Sequence, residues 1–159
     1  MKQAQDWGVL PETLRRLPKA ERLAIGDYRQ RFLSQAEIAR LVSACDRVNH
    51  PYLGLFIRLL ILTGARKGEA RLMRWCDVDL QTGLWVVPRS KNGRSRRIHL
   101  SQAALDVLHS TRIRTQSLGL ADGPDAPVFT NPRSKKPYGS FHLAFFKARD
   151  AAGLSKVRI

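Results

Sequence analysis

The sequence is short of acidic residues and of cysteine. Its 159 residues include 13 Asp and Glu against 28 Lys and Arg, which gives a formal net charge of +15 and a pI near 11.0. Two cysteines, Cys45 and Cys76, are too few for a disulfide framework, so a reducing cytoplasm is the simplest compartment. Neither the cysteines nor the four histidines show metal-ligand spacing, so we expect no metal ion.

Long apolar runs are absent as well. The longest extends from Tyr52 to Leu62 and contains Arg58, whereas a bilayer span needs about 20 apolar residues. The N-terminus has no apolar signal core, and no Gly-rich loop indicates a nucleotide cofactor. We therefore expect neither a membrane partner nor a small-molecule cofactor. With 43% hydrophobic residues, the chain is still apolar enough to fold around a core.

The excess of positive charge is the main feature of the composition. Residues 80–159 hold 14 basic side chains and only 4 acidic ones. A field of this sign attracts polyanions, and nucleic acid is the default polyanion in a cytoplasm. Two alternatives stay open on charge alone, namely a surface charged for solubility and a ribosomal-type protein that binds RNA.

Helical signals dominate from Phe32 onward. Ser34 followed by Glu37 forms a capping box, and apolar residues at helical spacing follow it. The second predicted helix, at 53–62, is apolar nearly all round, which predicts a central position. The further predicted helices lie at 67–75, 101–116 and 140–153.

The period of the apolar residues changes between residues 77 and 100. Three short β-rich pieces at 77–80, 84–88 and 96–100 are separated by Gly83 and by Asn92-Gly93. Asn-Gly between such runs is a strong hairpin signal. We therefore predict a three-stranded antiparallel meander and an α+β fold class, mainly helical with a small sheet.

Arg66 is the first candidate for chemistry. It follows the apolar helix within Thr63-Gly64-Ala65-Arg66-Lys67-Gly68-Glu69, and Glu69 lies three residues further on, able to orient its guanidinium. A guanidinium held in this way offers a fixed fork that matches a phosphate. The alternative is an ordinary Arg–Glu pair on a helix surface, which contributes little.

A basic run at the predicted hairpin tip is the second candidate. Five of the nine residues from Arg89 to Arg97 are basic and none is acidic. A basic β-turn grips phosphates or enters a groove, and a lysine there acts as a proton donor if a neighbouring arginine lowers its pKa. The alternative is a solvated charge run. The candidate DNA-binding residues are Arg89, Lys91, Asn92, Arg94, Arg96 and Arg97.

Six segments in order carry a resemblance to a known family. They are Phe32-Leu33-Ser34-x-x-Glu37-Ile38, Leu62-Thr63-Gly64-Ala65-Arg66-x-Gly68-Glu69, Trp75-x-Asp77-Val78-Asp79, Ser90-Lys91-Asn92-Gly93 with Arg97-Ile98-His99-Leu100-Ser101, Asp125-Ala126-Pro127-Val128-Phe129, and Ala148-Arg149-x-Ala151-Ala152-Gly153-Leu154. In order and spacing the sequence resembles the tyrosine recombinases, or phage-type integrases. The resemblance implies an integrase-type catalytic domain in a cytoplasmic protein of a bacterium or phage.

The resemblance also implies a reaction. In this family a tyrosine hydroxyl attacks the scissile phosphate of double-stranded DNA and forms a 3′-phosphotyrosine bond, with no metal or nucleotide cofactor. By this match Arg66 clamps the non-bridging oxygens, Glu69 supports the pocket and Lys91 is the general acid for the leaving 5′-oxygen. We therefore expect Arg66 and Lys91 to approach one another, with Glu69 behind Arg66.

The sequence departs from the family pattern near its end. A His-x-x-Arg block should follow Val157-Arg158-Ile159 directly, and the nucleophilic tyrosine should lie beyond it. None of the tyrosines present, Tyr28, Tyr52 and Tyr138, matches the nucleophile. We interpret residues 1–31 as a linker and remnant of an N-terminal core-binding domain. Residues 32–159 are then the N-terminal part of the catalytic domain, incomplete at the C-terminus.

Three hypotheses about function follow. The first is a DNA-binding fragment of a site-specific recombinase that is inactive on its own. The second is a non-enzymatic DNA-binding or regulatory protein derived from an integrase, and the third is an RNA-binding structural protein. In the family pattern, further C-terminal helices follow this segment and normally cover part of the core. We therefore also expect self-association or contact with other integrase subunits.

Overall fold

The structure, a computed structural model, describes residues 31–88 and 95–159. Residues 33–159 form one compact unit. The helices are α1 Gln35–Arg47, α2 Leu53–Thr63, α3 Lys67–Leu72, α4 Gln102–Ser117 and α5 His142–Ala151. The strands are β1 Val78–Asp79, β2 Leu84–Val87 and β3 Arg96–His99. The predicted linker at 1–31 lies almost wholly outside the described residues, so the division into domains stays a prediction.

Side-chain caps start two of the helices, as the sequence predicts. The Ser34 hydroxyl accepts from the backbone of Glu37 at 3.3 Å, and the Glu37 carboxylate accepts from the backbone of Ser34 at 2.9 Å. The Ser101 hydroxyl accepts from the backbone of Ala104 at 3.3 Å. These contacts satisfy amide groups that have no partner inside the helix. They fix where α1 and α4 begin.

Two helix bounds differ from the prediction. The helix expected at 67–75 is shorter, because the carbonyl of Met73 accepts from the N–H of Val128 at 2.9 Å and draws the chain out of the helix. Residues 75–77 then form a single 3-10 turn. The helix expected from Ser140 begins at residue 142, although the Ser140 hydroxyl still accepts from that residue's backbone at 3.0 Å.

Helix α2 lies at the centre of the core, as its apolar sequence predicts, and packs against α1, α3 and α4. Its Phe56 stacks on Phe141 with ring centroids 3.9 Å apart, and Phe129 meets Phe56 edge-on at 5.2 Å. At the start of α2, Tyr52 is fully buried and its hydroxyl lies 3.0 Å from the hydroxyl of Thr115 on α4. These aromatic contacts bring the 129–141 segment against the central helix.

The strands form the predicted antiparallel meander, in the order β1-β2-β3. In the β2–β3 pair Trp85 lies opposite Ile98 and Val87 lies opposite Arg96. The β1–β2 turn contains Gly83 at a φ of +66°, a conformation that favours glycine. No helix within the described residues is long and apolar enough to cross a membrane.

Candidate active site

The end of α2 sets the position of Arg66. The Thr63 hydroxyl donates to the carbonyl of Leu59 at 2.6 Å and accepts from the backbone of Ala65 at 3.3 Å. Gly64 adopts a φ of +60° and closes the helix by donating to a carbonyl of the last turn. The chain reverses within these residues, so Arg66 stands at the start of α3 with its side chain 55% exposed.

Glu69 lies behind Arg66 and is bound by two arginines. Its side chain is only 8% exposed. One carboxylate oxygen accepts from the Arg66 guanidinium at 2.9 Å, and the other accepts from the Arg66 backbone at 3.0 Å. The second oxygen also accepts from Nη2 of Arg96 at 2.5 Å. The predicted Arg66–Glu69 contact is therefore present, but as part of a three-residue cluster, Arg66–Glu69–Arg96.

The electrostatics of the cluster favour an ionised carboxylate. Burial acts to raise the pKa of Glu69, but the hydrogen bonds from Arg66 and the ion pair with Arg96 outweigh it, so this pKa is lowered. The charged carboxylate in turn limits the rotation of the Arg66 guanidinium. The arrangement is an oriented cation that is still open to solvent.

Strand β3 carries the two arginines of the basic run that the structure describes, Arg96 and Arg97, on opposite faces. Arg96 and Ile98 are half-buried, whereas Arg97 and His99 are exposed. Successive side chains of a strand point to opposite faces, so Arg96 turns towards α3 and Arg97 turns to solvent. The two arginines, predicted together as DNA contacts, therefore have different environments.

The remaining residues of the run, Arg89, Lys91, Asn92 and Arg94, lie outside the described residues. The hairpin that carries them starts from the pair of Val87 and Arg96. Because Arg96 contacts Glu69, the base of this hairpin adjoins the cluster. The approach of Lys91 to Arg66 stays a prediction.

A contact between Lys67 and His142 lies next to the cluster and was not predicted from the sequence. Nζ of Lys67 lies 2.6 Å from Nε2 of His142, 75 residues further along the chain. Both line a cleft of about 270 Å³, together with Arg71 and Ser140. No local pattern in the sequence signals a pairing across this separation.

The described tyrosines are engaged in the core. The hydroxyl of Tyr52 is bound to Thr115, and burial raises the pKa of Tyr52. Tyr138 is half-buried between the rings of His50 and Phe141, and burial raises its pKa too. Neither environment favours the tyrosinate that nucleophilic attack requires.

The cysteines are free thiols, one buried and one exposed. Burial, with Asp46 adding to it, raises the pKa of the Cys45 thiol to about 11, so it is a structural residue. Within residues 31–88 and 95–159, no three His, Cys, Asp or Glu side chains form a group that could hold a metal ion.

Comparison with known proteins places this geometry in context. Residues 31–158 match the phage integrase family. The chain is 34% identical over 106 residues to a shufflon-specific DNA recombinase of Escherichia coli, a match that covers 65% of this chain and 26% of that protein. The chain thus spans about a quarter of the length of that relative.

Two solved structures share the fold. A lambda integrase dimer bound to a COC′ core site aligns with a TM-score of 0.66 and 25% identity, over 97% of this chain and 54% of that one. The XerA recombinase aligns with a TM-score of 0.64 and 23% identity, over 83% of this chain and 47% of that one. Both support the mainly helical α+β architecture with its small antiparallel sheet.

Proposed function

Since the chain belongs to the phage integrase family, we propose that it binds double-stranded DNA as part of a site-specific recombinase. In its full form this enzyme breaks and rejoins DNA through a 3′-phosphotyrosine intermediate. The environment of Arg66 carries the proposal, because its guanidinium is more than half exposed while the buried Glu69 holds it from behind. A cation that is oriented and still accessible is suited to grip a phosphate.

Each residue of the site has a role in this proposal. Arg66 hydrogen-bonds the non-bridging oxygens of the scissile phosphate and stabilises the charge that develops in the transition state. Glu69 fixes the direction of the Arg66 fork. Lys91 gives a proton to the leaving 5′-oxygen, and the hairpin that carries it starts beside Glu69. The neighbouring phosphates are bound by Arg89, Asn92, Arg94 and Arg97.

The partners follow from the same reasoning. Duplex DNA is the substrate, and the exposed Arg97 adds to the charge that attracts it. Further integrase subunits are the protein partners, which the dimer of lambda integrase on its COC′ core site supports by analogy. The chemistry needs no metal or nucleotide cofactor.

DNA binding without strand cleavage is the second candidate function. The observation that favours it is the state of Tyr52 and Tyr138, whose rings pack in the core. On this hypothesis the chain binds DNA, or regulates a complete integrase, and forms no covalent bond itself. Both candidates require the phosphate contact at Arg66 and differ only in the chemistry that follows.

Duplex binding measured against salt concentration tests the proposal. Each phosphate contact contributes about −0.9 to the slope of log K against log salt. We expect Arg66→Ala to weaken binding and to reduce the slope by about 0.9. Arg40→Ala, at an exposed position on α1, removes the same charge outside the site and is the matched control.

The outcomes separate a phosphate contact at Arg66 from non-specific charge attraction and from RNA binding. Equal losses in the Arg66→Ala and Arg40→Ala proteins mean that charge alone drives binding and that Arg66 is no phosphate clamp. Salt-independent binding contradicts both DNA hypotheses. Tighter binding to structured RNA than to duplex DNA of equal length favours the RNA-binding alternative.

A further inference from the structure

We propose that Arg96 is a positioning residue, which fixes Glu69 and through it the Arg66 guanidinium, and that it is not a phosphate contact. This inference rests on the proposed function, because it assigns Arg96 a part in the same site. The sequence groups Arg96 with the DNA-binding arginines of the hairpin. Its side chain instead lies against the buried carboxylate, with Nη2 2.5 Å from an oxygen of Glu69.

The register of the sheet explains this placement. Arg96 is the first residue of β3 and lies opposite the buried Val87 of β2. Alternation along the strand puts it on the same face as Ile98, which packs against the core. Arg97 occupies the opposite, solvent face. The two adjacent arginines thus carry the same charge, but their side chains point to opposite faces of the sheet.

The hydrogen bonds of Glu69 show what Arg96 does. The oxygen that accepts from Arg96 also accepts from the backbone of Arg66, and the other oxygen accepts from the Arg66 guanidinium. Removing Arg96 leaves the Glu69 side chain, which is only 8% exposed, with its charge balanced by Arg66 alone. A buried carboxylate with fewer partners is less firmly held, so the guanidinium that it orients gains rotational freedom.

Two of the three donor nitrogens of Arg96, Nε and Nη2, are poorly placed for a phosphate. Its Nε is buried and has no partner within the described part of the chain, while Nη2 is committed to Glu69. A bidentate grip on phosphate needs two parallel N–H groups that face the ligand together. Arg97, fully on the solvent face of β3, has no such restriction and serves as the matched control.

Titration of Glu69 followed by NMR tests the positioning role without DNA. The chain contains four glutamates, Glu12, Glu21, Glu37 and Glu69, so selective labelling of the glutamate carboxyl carbon gives a simple spectrum. The Glu69→Gln protein assigns the signal. We expect the Glu69 midpoint to rise in the Arg96→Gln protein, to stay unchanged in Arg97→Gln, and to be largely restored in Arg96→Lys, which keeps the charge.

A double-mutant cycle on duplex binding tests the consequence for the site. If Arg96 acts through Glu69 on Arg66, then Arg96→Gln weakens binding in the wild-type background and has little further effect in the Arg66→Gln background. The salt slope then falls by about 0.9 for Arg66→Gln, and the double variant loses no more than that. Arg97→Gln should instead weaken duplex binding by the same factor in the wild-type and the Arg66→Gln proteins.

Two results overturn the inference. One is an unchanged Glu69 midpoint in the Arg96→Gln protein. The other is a loss of binding that multiplies in the double variant with a slope change of about 1.8, because Arg96 then contacts a phosphate of its own. If Arg96→Gln does not fold, Arg96→Met, which keeps the length of the side chain and removes its charge, gives the same two readouts against Arg97→Met. A failure of duplex binding in every protein rejects the proposed function, and the NMR titration still decides the contact between Arg96 and Glu69.

Discussion

Replacing Glu69 with glutamine measures what the buried carboxylate contributes to the fold. Glutamine keeps the size and one acceptor oxygen but loses the charge, and its amide group then faces guanidinium donors. The carboxylate accepts three hydrogen bonds from Arg66 and Arg96. Hydrogen bonds to charged groups are worth about 1.5–3 kcal/mol each, and breaking a fully buried ion pair costs about 3–5 kcal/mol.

Solvent exposure of the two arginines reduces this cost. The side chains of Arg66 and Arg96 are 55% and 38% exposed, so water screens their interaction with Glu69. We therefore expect Glu69→Gln to lower the free energy of unfolding by about 1–2 kcal/mol at pH 7. Urea denaturation followed by circular dichroism measures the difference directly.

The pH dependence gives the same prediction a definite sign. The pKa of Glu69 is lowered in the folded chain, because the arginine hydrogen bonds outweigh the opposing effect of burial. A lowered pKa stabilises the fold fully above the usual glutamate value, and this contribution is lost as the pH falls through the lowered value. The gap between wild type and Glu69→Gln should therefore be largest near neutrality and close below about pH 4.

Glu37→Gln is the matched control. Glu37 holds the same third position in the capping box of α1, at a half-buried site, and glutamine also serves in a capping box. We expect a change within about 0.5 kcal/mol. Equal losses of unfolding free energy in Glu69→Gln and Glu37→Gln would refute the reasoning. So would a stability difference between wild type and Glu69→Gln that widens at low pH.

Two further predictions concern packing and chemistry. A Cβ on Gly54 would lie 2.1 Å from the Asp46 carboxylate, whereas none of the described atoms lies within 4 Å of one on Gly68. We therefore expect thermal melts to show that Gly68→Ala raises the free energy of unfolding by about 0.5–1 kcal/mol. Gly54→Ala should raise it only when Asp46 is also replaced by alanine. Incubation with a suicide DNA substrate should yield no covalent adduct from this chain alone, since none of its three tyrosines matches the nucleophile of the family and Tyr52 is buried and bound to Thr115. An adduct would contradict this prediction.

Local signals in the sequence predicted most of the fold. The capping residues Ser34 and Ser101 start α1 and α4, and the change from helical to strand period marks the meander. Such features are local, because a hydroxyl and an amide three residues apart decide a helix start. The end of α3 was not predictable in this way, since it depends on a hydrogen bond to Val128 more than fifty residues away.

The site was predicted only in part, for the same reason. Glu69 behind Arg66 follows from a separation of three residues. The contact between Arg96 and Glu69 spans 27 residues and depends on the register of β3. Alternation with Ile98 was the available signal that Arg96 faces inward, but the density of positive charge in the run favoured a common role for all its arginines.

An experimental structure of the chain bound to duplex DNA tests the central claim most directly, through the distances from one phosphate to Arg66 and Lys91. The account predicts that the Arg66 guanidinium and Nζ of Lys91 both lie within about 3.2 Å of oxygens of the same phosphate group. Glu69 should remain behind Arg66, and Arg96 should remain on Glu69. A complex in which Lys91 lies on the opposite side of the domain from Arg66 would contradict the account.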